Sequence, residues 1–193
     1  MEKKHIITIA GKLGSGKSST AKKIAETLGY EHASTGDFMR KMAEDRGISL
    51  GELGKIAEND PSVDIAIDDY CRKIGNRNNI VLDSRLGFHF IPQSFKVFLE
   101  LDPMIAAKRI LEDAKVNPLR HKETLKDFSN IEEIAKSITE RLQSERKRYK
   151  ELYNIKDHTD PKNFNLVINT AAMPLNKVAS KIIEEYNKWL NIK

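Results

Sequence analysis

Cysteine is nearly missing from this chain of 193 residues, in which Cys71 is the one example. A single thiol cannot form an internal disulfide, and there is no second thiol with which to build a cysteine metal site. We therefore expect a protein of a reducing compartment, with Cys71 as a buried or half-buried helix residue that carries no chemistry.

Long apolar runs are missing as well. No segment is long enough to span a bilayer, and the first residues, Met-Glu-Lys-Lys and a short apolar run, lack the apolar length and cleavage site of a secretory signal. These absences predict a cytoplasmic protein without a membrane partner. Because 193 residues, 39% of them hydrophobic, suffice for one substantial core but hardly for two, we expect a single domain over residues 1–193. We also expect a monomer.

The usual signatures of nucleic-acid binding and of GTP hydrolysis are absent too. The formal charge of +5 suits nucleic acid and polyanionic nucleotides equally well. There is, however, no zinc-finger spacing, no RNP-type aromatic motif and no uninterrupted basic tail, so we expect no nucleic-acid partner. An N-K-x-D guanine reader and a DxxG turn after a strand are also lacking, which argues against a GTPase.

What the chain does have is a phosphate-binding loop. Residues 11–18 read Gly-Lys-Leu-Gly-Ser-Gly-Lys-Ser and fit the P-loop spacing G-x-x-x-x-G-K-[ST]. Glycines let successive backbone N–H groups turn toward phosphate oxygens, the lysine supplies a charge for the outer phosphates, and the serine can ligate Mg²⁺. The loop predicts ATP and Mg²⁺ as cofactors, with these nucleotide-binding residues: Gly11, Lys12, Leu13, Gly14, Ser15, Gly16, Lys17, Ser18 and Ser19.

Short apolar runs alternate with helical patterns along most of the chain. Strands are predicted at residues 5–10, 30–33, 79–83, 95–101 and 166–169. This alternation indicates an α/β fold of three layers, with a five-stranded parallel sheet covered by helices on both faces. Ligands of such sheets bind at the carboxyl ends of the strands, where Gly11, Ser34, Asp83 and Thr170 all fall.

Two stretches interrupt the alternation. Residues 48–75 are helical and acidic, and residues 112–156 are dominated by charge. Within the second stretch, residues 131–152 carry a thin apolar stripe surrounded by arginine, lysine and glutamate. Two interpretations are open: a long, mostly solvated helix, or a mobile lid that brings basic residues over bound phosphates, which we favour after a P-loop.

The side chains near the strand ends bear on the kind of acceptor. A hydroxyl acceptor needs a carboxylate as general base, for which Asp37 and Asp83 are the candidates. A phosphate acceptor needs no base, but it needs arginines to hold two mutually repelling anions in line. Arginine is plentiful, and the pattern favours a phosphate acceptor; the arginines concerned are Arg40, Arg85, Arg109, Arg141, Arg146 and Arg148.

Four strings then carry a family resemblance: Ser-Thr-Gly-Asp-Phe-Met-Arg at 34–40, Met-Ala-Glu-Asp-Arg-Gly-Ile-Ser-Leu at 42–50, Leu-Asp-Ser-Arg-Leu at 82–86 and Glu-Arg-Lys-Arg-Tyr-Lys-Glu-Leu-Tyr at 145–153. Together the strings resemble the compact cytidylate kinases typical of archaea and some bacteria, over about residues 5–170. The resemblance implies a P-loop kinase fold with an acceptor-binding region at 35–78 and a lid at 112–156. It also implies transfer of the γ-phosphoryl group of ATP to CMP or dCMP.

The resemblance also implies roles for individual residues. Arg40 and Arg85 would hold the phosphate of CMP, with Ser34, Gly36 and Asp37 beside the acceptor. Arg141 with Arg146 or Arg148 would form the phosphate clamp of the lid. Arg109 resembles the arginine at the base of the lid that packs on the adenine of ATP.

Adenylate kinase is the nearest alternative, because residues 34–40 suit that family equally well. Adenylate kinases follow their third strand with D-G-F-P-R, whereas this chain has Asp83-Ser84-Arg85, closer to the D-G-R or E-G-R of cytidylate kinases. Ser84 in place of glycine departs from both patterns. Other P-loop small-molecule kinases, a non-catalytic ATP-binding protein and an RNA-associated ATPase also remain open.

The remaining expectations concern the base, the metal and a longer lid. Asp64 and Asp68 share one helical face and would either accept from the exocyclic amine of cytosine or form a solvated acidic face. Asp83 would hold magnesium with Ser18, or cap a turn. Residues 115–129 make the lid longer than the family pattern, either as an inert loop or as a source of extra basic contacts.

Overall fold

The computed structural model describes residues 3–116 and 130–191. Five parallel strands form one sheet in this part of the chain, in the order β2-β3-β1-β4-β5. The central β1 lies between β3 and β4, with Ile9 opposite Asp83 and Gly11 opposite Leu99. The strands are β1 (Ile6–Gly11), β2 (Glu31–Ser34), β3 (Ile80–Asp83), β4 (Phe95–Glu100) and β5 (Leu166–Asn169).

The helices follow the strands in the alternation that the sequence predicts. They are α1 (Lys17–Leu28), α2 (Thr35–Asp45), α3 (Leu50–Ala57), α4 (Ser62–Gly75), the short α5 (Gly87–Phe90), α6 (Pro103–Val116), α7 (Ile131–Tyr153) and α8 (Leu175–Asn191), with a 3₁₀ turn at Pro161–Asn163. None of the helices in residues 3–116 and 130–191 is both long and apolar enough to cross a membrane.

Both faces of the sheet are covered, which confirms the predicted three layers. On one face, α1 and α8 pack on β1, β3 and β4 through Ile24, Val81, Leu99 and Ile182. On the other face, α4 packs through Cys71 and Ile74, so Cys71 is buried as expected. Strands this deeply buried are continuous apolar runs, which is why the sequence marks them clearly.

The acceptor-binding region has a small core of its own. Helices α2, α3 and α4 meet around Ala43, Leu53, Ala57 and Val63. Helix α3 begins with a capping box in which Ser49 and Glu52 satisfy each other's backbone N–H groups. The region is therefore a compact helical unit that follows the carboxyl end of β2 and leads into the amino end of β3.

Helix α7 packs on two neighbouring parts of the fold through its apolar stripe. Ile134, Ala135 and Ile138 pack on α6, and Tyr149 packs against Phe88 at the far end. Five of the 23 residues of α7 are buried and the others are exposed or half-buried, so the helix is held along one side while most of its residues keep contact with solvent. The extra segment at 115–129 lies, from residue 117 onward, outside the described residues.

Candidate active site

The phosphate-binding loop joins β1 to α1, and its glycines are required by close contacts. A Cβ on Gly11 would lie 2.5 Å from the Leu99 carbonyl oxygen, and a Cβ on Gly14 would lie 3.0 Å from the Ala106 backbone oxygen. Gly14 also has a φ of 72°, which disfavours any L side chain. The neighbouring elements thus fix the loop in a shape that larger residues cannot adopt.

Lys17 begins α1 and folds back over the loop. Its Nζ donates a hydrogen bond of 3.2 Å to the Lys12 carbonyl oxygen. Burial lowers the pKa of Lys17 to about 8, while Asp83 opposes the shift. The charges of Arg85, Glu145 and Arg141 also act on Lys17, which places all three side chains in its vicinity.

A cleft of about 190 Å³ lies along the loop and the start of α1, and α6 closes its other side. Arg109 on α6 lines the cleft and donates to the backbone oxygens of Thr170 (2.7 Å) and Ala171 (3.0 Å). The arginine is therefore held beside the loop, where the resemblance requires an adenine contact. The cleft is lined by Leu13, Gly14, Gly16, Lys17, Ser18, Ser19, Arg109, Ile110 and Asp113.

Ser18 and Asp83 meet where β1 and β3 end. The hydroxyl group of Ser18 donates to Oδ2 of Asp83 across 2.5 Å, and the Asp83 side chain is buried. Hydroxyl and carboxylate oxygens are the ligands that Mg²⁺ accepts beside nucleotide phosphates and water. The pair therefore fits a magnesium ion, and no larger cluster of metal-ligating side chains occurs among the described residues.

Arg85 follows β3 and points to a carboxylate on α7. Its Nε lies 2.7 Å from Oε2 of Glu145, while Nε of Arg141 donates to Oε1 of the same carboxylate at 3.0 Å. Glu145 is 6% exposed, yet the two guanidinium groups outweigh its burial and hold its pKa below the usual value. His158 completes the cluster, with Nε2 at 3.7 Å from Oε2 of Glu145.

This cluster forms one wall of a second cavity. The first cleft lies along the end of the P-loop and the start of α1, whereas this cavity lies beside the first residues of the loop. The cavity therefore lies between the first residues of the P-loop and α7. It is lined by Gly11, Lys12, Leu13, Arg85, Pro103, Ile138, Thr139, Arg141, Leu142, Glu145, His158 and Thr159.

At the start of α2, the predicted acceptor residues occupy the N-cap and the first two turns. Oγ of the buried Ser34 caps the helix by accepting from the Asp37 N–H group at 3.2 Å. Arg40 pairs with Asp37 at 2.6 Å, one helical turn away, and Gly36 lies beside the guanidinium. The group stands at the end of β2, next to the end of β3 that carries Asp83.

The burial of Asp64 and Asp68 contradicts one of the two interpretations of this acidic pair. Both side chains are buried, at 4% and 3% exposure, so the interpretation as a solvated acidic face is wrong. Arg148 lies 2.7 Å from Asp64, and the Tyr153 hydroxyl group donates to Asp68 at 2.6 Å. Burial raises the pKa of Asp64 and raises that of Asp68 to about 6.

The three arginines assigned to the lid clamp are therefore in different places. Arg141 lines the second cavity with Arg85. Arg146 pairs instead with Asp157 and also donates to Thr159, and Arg148 pairs with Asp64. In this conformation, contact with the cavity is made by Arg141 and by neither of the other two.

Sequence reasoning missed Glu145 and His158 as site residues. Glu145 lies in the charged run of α7 and looks like any solvated glutamate there. One signal could have found it: residues 134, 138, 145 and 149 lie on the buried side of α7, so Glu145 occupies a position where an apolar residue is expected. Nothing in its neighbourhood in the sequence marks His158.

Comparisons with known proteins identify the family of this chain. The model of the cytidylate kinase-like family matches residues 6–172. The cytidylate kinase of Natronomonas pharaonis is 38% identical over 95% of this chain and 90% of its own length. The cytidylate kinase of Methanopyrus kandleri is 35% identical over 86% of this chain and 84% of its own length. An S-adenosylmethionine-dependent nucleotide dehydratase of Lacinutrix mariniflava is 35% identical over 94% of this chain, which spans only 36% of that protein.

Solved structures show the same fold at low sequence identity. Shikimate kinase from Bacteroides thetaiotaomicron has a TM-score of 0.65 at 14% identity, covering 97% of this chain and 98% of the other. Shikimate kinase from Acinetobacter baumannii, solved with shikimate, has a TM-score of 0.63 at 16% identity, and the match covers 100% of this chain and 97% of the other. With the family match over most of its length, the chain belongs to the cytidylate kinase-like family, and it is a nucleoside monophosphate kinase built on the P-loop kinase fold.

Proposed function

We propose that the protein transfers the γ-phosphoryl group of ATP to CMP or dCMP, giving ADP and the pyrimidine diphosphate. An oxygen of the acceptor phosphate forms the new bond to the γ-phosphorus as the bond to the β,γ-bridging oxygen breaks. The reaction needs positioning and charge neutralisation more than acid–base chemistry.

One observation carries the proposal: cations gather at the carboxyl ends of the strands, while the carboxylates that could act as a base are engaged. Lys17, Arg85 and Arg141 lie close enough to influence one another's charge. Asp83 accepts from Ser18, and Asp37 pairs with Arg40. A phosphate acceptor, which is already an anion, suits this arrangement better than a hydroxyl acceptor does.

The residues then take separate roles. The loop amides and Lys17 hold the phosphates of ATP, and Arg109 lies against its base. Ser18 and Asp83 would hold Mg²⁺, which neutralises the phosphate oxygens when bound. Arg40 and Arg85 hold the acceptor phosphate, and Arg141 neutralises the migrating group.

The choice of cytosine is supported by the acidic pair on α4 and by the names of the relatives. A carboxylate accepts from the exocyclic amine of cytosine, whereas uracil presents an acceptor there. Asp64 and Asp68 lie in the acceptor-binding region, and the similar proteins of Natronomonas pharaonis and Methanopyrus kandleri are cytidylate kinases.

The deciding experiment measures ADP release from ATP and Mg²⁺ with CMP, dCMP, UMP, AMP, GMP, dTMP and shikimate offered in turn. We expect turnover with CMP or dCMP to exceed that with every other acceptor by at least about tenfold, since one lost polar contact to the base costs about 1–3 kcal/mol. Preference for AMP would replace the proposal by an adenylate kinase. Absence of turnover with all seven acceptors would indicate a binding protein or an RNA-associated ATPase.

A further inference from the structure

Glu145 is a buried carboxylate between two arginines of the proposed active site, and no role has so far been given to it. Its two oxygens take different partners: Oε2 faces Arg85 at 2.7 Å, and Oε1 accepts from Arg141 at 3.0 Å. The carboxylate comes from α7, whereas Arg85 follows β3, so one side chain links the long helix to the sheet.

The contacts use a particular part of each guanidinium. In both arginines the nitrogen nearest to Glu145 is Nε. A guanidinium has five N–H donors, four of which are on the terminal Nη nitrogens. Among residues 3–116 and 130–191, no hydrogen bond involves an Nη of Arg85 or Arg141, although both arginines line the cavity beside the P-loop. The carboxylate thus holds each arginine and leaves its phosphate-binding end available.

The same carboxylate offsets repulsion between the cations. Arg85 lowers the pKa of Arg141, because two guanidinium groups close together disfavour each other's charge. Breaking a buried ion pair on one side leaves an uncompensated charge and is strongly unfavourable. His158 adds no positive charge, since burial lowers its pKa to about 4, and its ring screens one side of the carboxylate from water.

We propose that Glu145 is a positioning residue, which orients Arg85 and Arg141 through their Nε atoms so that the Nη groups of Arg85 meet the acceptor phosphate and those of Arg141 meet the transferred phosphoryl group. This inference rests on the proposed phosphoryl transfer. Glu145 is also a negative charge next to a site for anions, so it does not favour binding of the substrates in the ground state. Its benefit is largest in the transition state, in which both arginines must be aligned.

The test replaces Glu145 by glutamine, which keeps the shape and one acceptor oxygen but removes the charge. Glu151→Gln on the same helix is the matched control, because Glu151 is exposed. We expect Glu145→Gln to lower kcat for ATP and CMP by about 10- to 100-fold, with KM for ATP unchanged or lower, and Glu151→Gln to match the wild type. A kcat equal to that of the wild type, or a loss that lies wholly in a raised KM, would overturn the inference.

A second variant covers the case in which glutamine prevents folding. Glu145→Asp keeps the charge but shortens the reach to the two Nε atoms, so a positioning role predicts a lowered kcat with an unchanged KM for ATP. Full kcat in this variant would contradict the role, because a mere counter-charge tolerates the shorter side chain.

A binding measurement separates failure of this inference from failure of the proposed function. If the wild type turns over no nucleoside monophosphate, the proposed function fails. Calorimetric titration with inorganic tripolyphosphate then still tests Glu145: we expect Glu145→Gln to bind it as tightly as the wild type or more tightly, because a repelling charge is gone. Tenfold weaker binding would show that Glu145 only maintains the structure of the anion site.

Discussion

At the scale of single residues, Lys17 illustrates how the loop prepares for a nucleotide. Its ammonium group has only the Lys12 carbonyl oxygen as a hydrogen-bond acceptor among the described residues, and burial makes the charge less favourable. Phosphate oxygens would provide both the missing acceptors and the opposite charge. The side chain therefore gains more from a bound nucleotide than a solvated lysine would.

Replacing Lys17 by alanine should abolish turnover without unfolding the protein. We expect kcat with ATP and CMP to fall by at least about 10²-fold, the loss that follows removal of one group stabilising transition-state charge. Steady-state ADP release and a thermal melt by circular dichroism check the two halves of the prediction. Lys22→Ala, an exposed position on the same helix, serves as the control. Activity near that of the wild type in Lys17→Ala would overturn the P-loop assignment.

Arg85 is expected to act on the acceptor more than on the donor. Arg85→Ala should raise KM for CMP by about tenfold or more while KM for ATP changes less than about threefold, because one charge-assisted hydrogen bond contributes about 1.5–3 kcal/mol. Initial-rate kinetics with each substrate varied in turn measure this difference. Arg85→Lys retains the charge without the two-pronged guanidinium and should fall between alanine and the wild type. Equal changes in both KM values would refute an acceptor role.

At the scale of elements, three polar contacts fasten α7 to the acceptor-binding region. Ser144 donates to Glu58 at 2.8 Å, Arg148 lies 2.7 Å from Asp64, and Tyr153 donates to Asp68 at 2.6 Å. Ser144 and Arg148 are four residues apart and share a face of α7, whereas Tyr153, at the end of the helix, reaches Asp68 from another side. The helix that carries Arg141 and Glu145 is thus attached directly to the helices that would hold the acceptor.

Asp68 makes this attachment dependent on pH. Burial raises its pKa to about 6 from 3.8, so the folded protein binds the proton more tightly than the unfolded chain does. Stability from this group is therefore fully present below about pH 4 and is lost as the pH rises through about 6.

We expect Asp68→Asn to remove the loss of folding stability that ionisation of Asp68 causes as the pH rises. Relative to the wild type, its free energy of unfolding should increase by about 1–3 kcal/mol between pH 4 and pH 7, at 1.36 kcal/mol for each pKa unit. Urea unfolding of both proteins across this range measures the difference. Asp69→Asn, at the exposed neighbouring position, is the control and should show no such trend. A difference between Asp68→Asn and the wild type that does not vary with pH would contradict the assigned shift.

At the scale of the whole molecule, the sheet and the P-loop could be predicted from the sequence. The strands β1, β3 and β4 are buried on both sides, so their apolar runs stand out against polar turns, and the loop is read directly from its glycines. The predicted strand at 30–33 starts one residue before the observed Glu31–Ser34. Such an offset is expected, because no apolar periodicity defines the ends of a short strand.

The buried charges could not be predicted in the same way. Asp68 and its partner Tyr153 are 85 residues apart, and Glu145 is far from Arg85 in the sequence. An aspartate or glutamate on a charged helix is normally solvated, and only a partner from another element makes its burial favourable. Local sequence patterns carry no information about such partners. The sequence therefore shows that Asp64 and Asp68 share one face of a helix, but it does not show which residues contact them.

The pKa of Lys17 near 8 has a consequence for the heat of nucleotide binding. Phosphate groups beside the lysine restore its usual high pKa, so the ligand-free protein takes up a fraction of a proton on binding near pH 8. The buffer supplies that proton and contributes its own enthalpy of ionisation. Binding enthalpies measured in buffers of different ionisation enthalpy therefore differ, and the slope of that difference gives the net number of protons taken up when the site fills, to which Lys17 contributes.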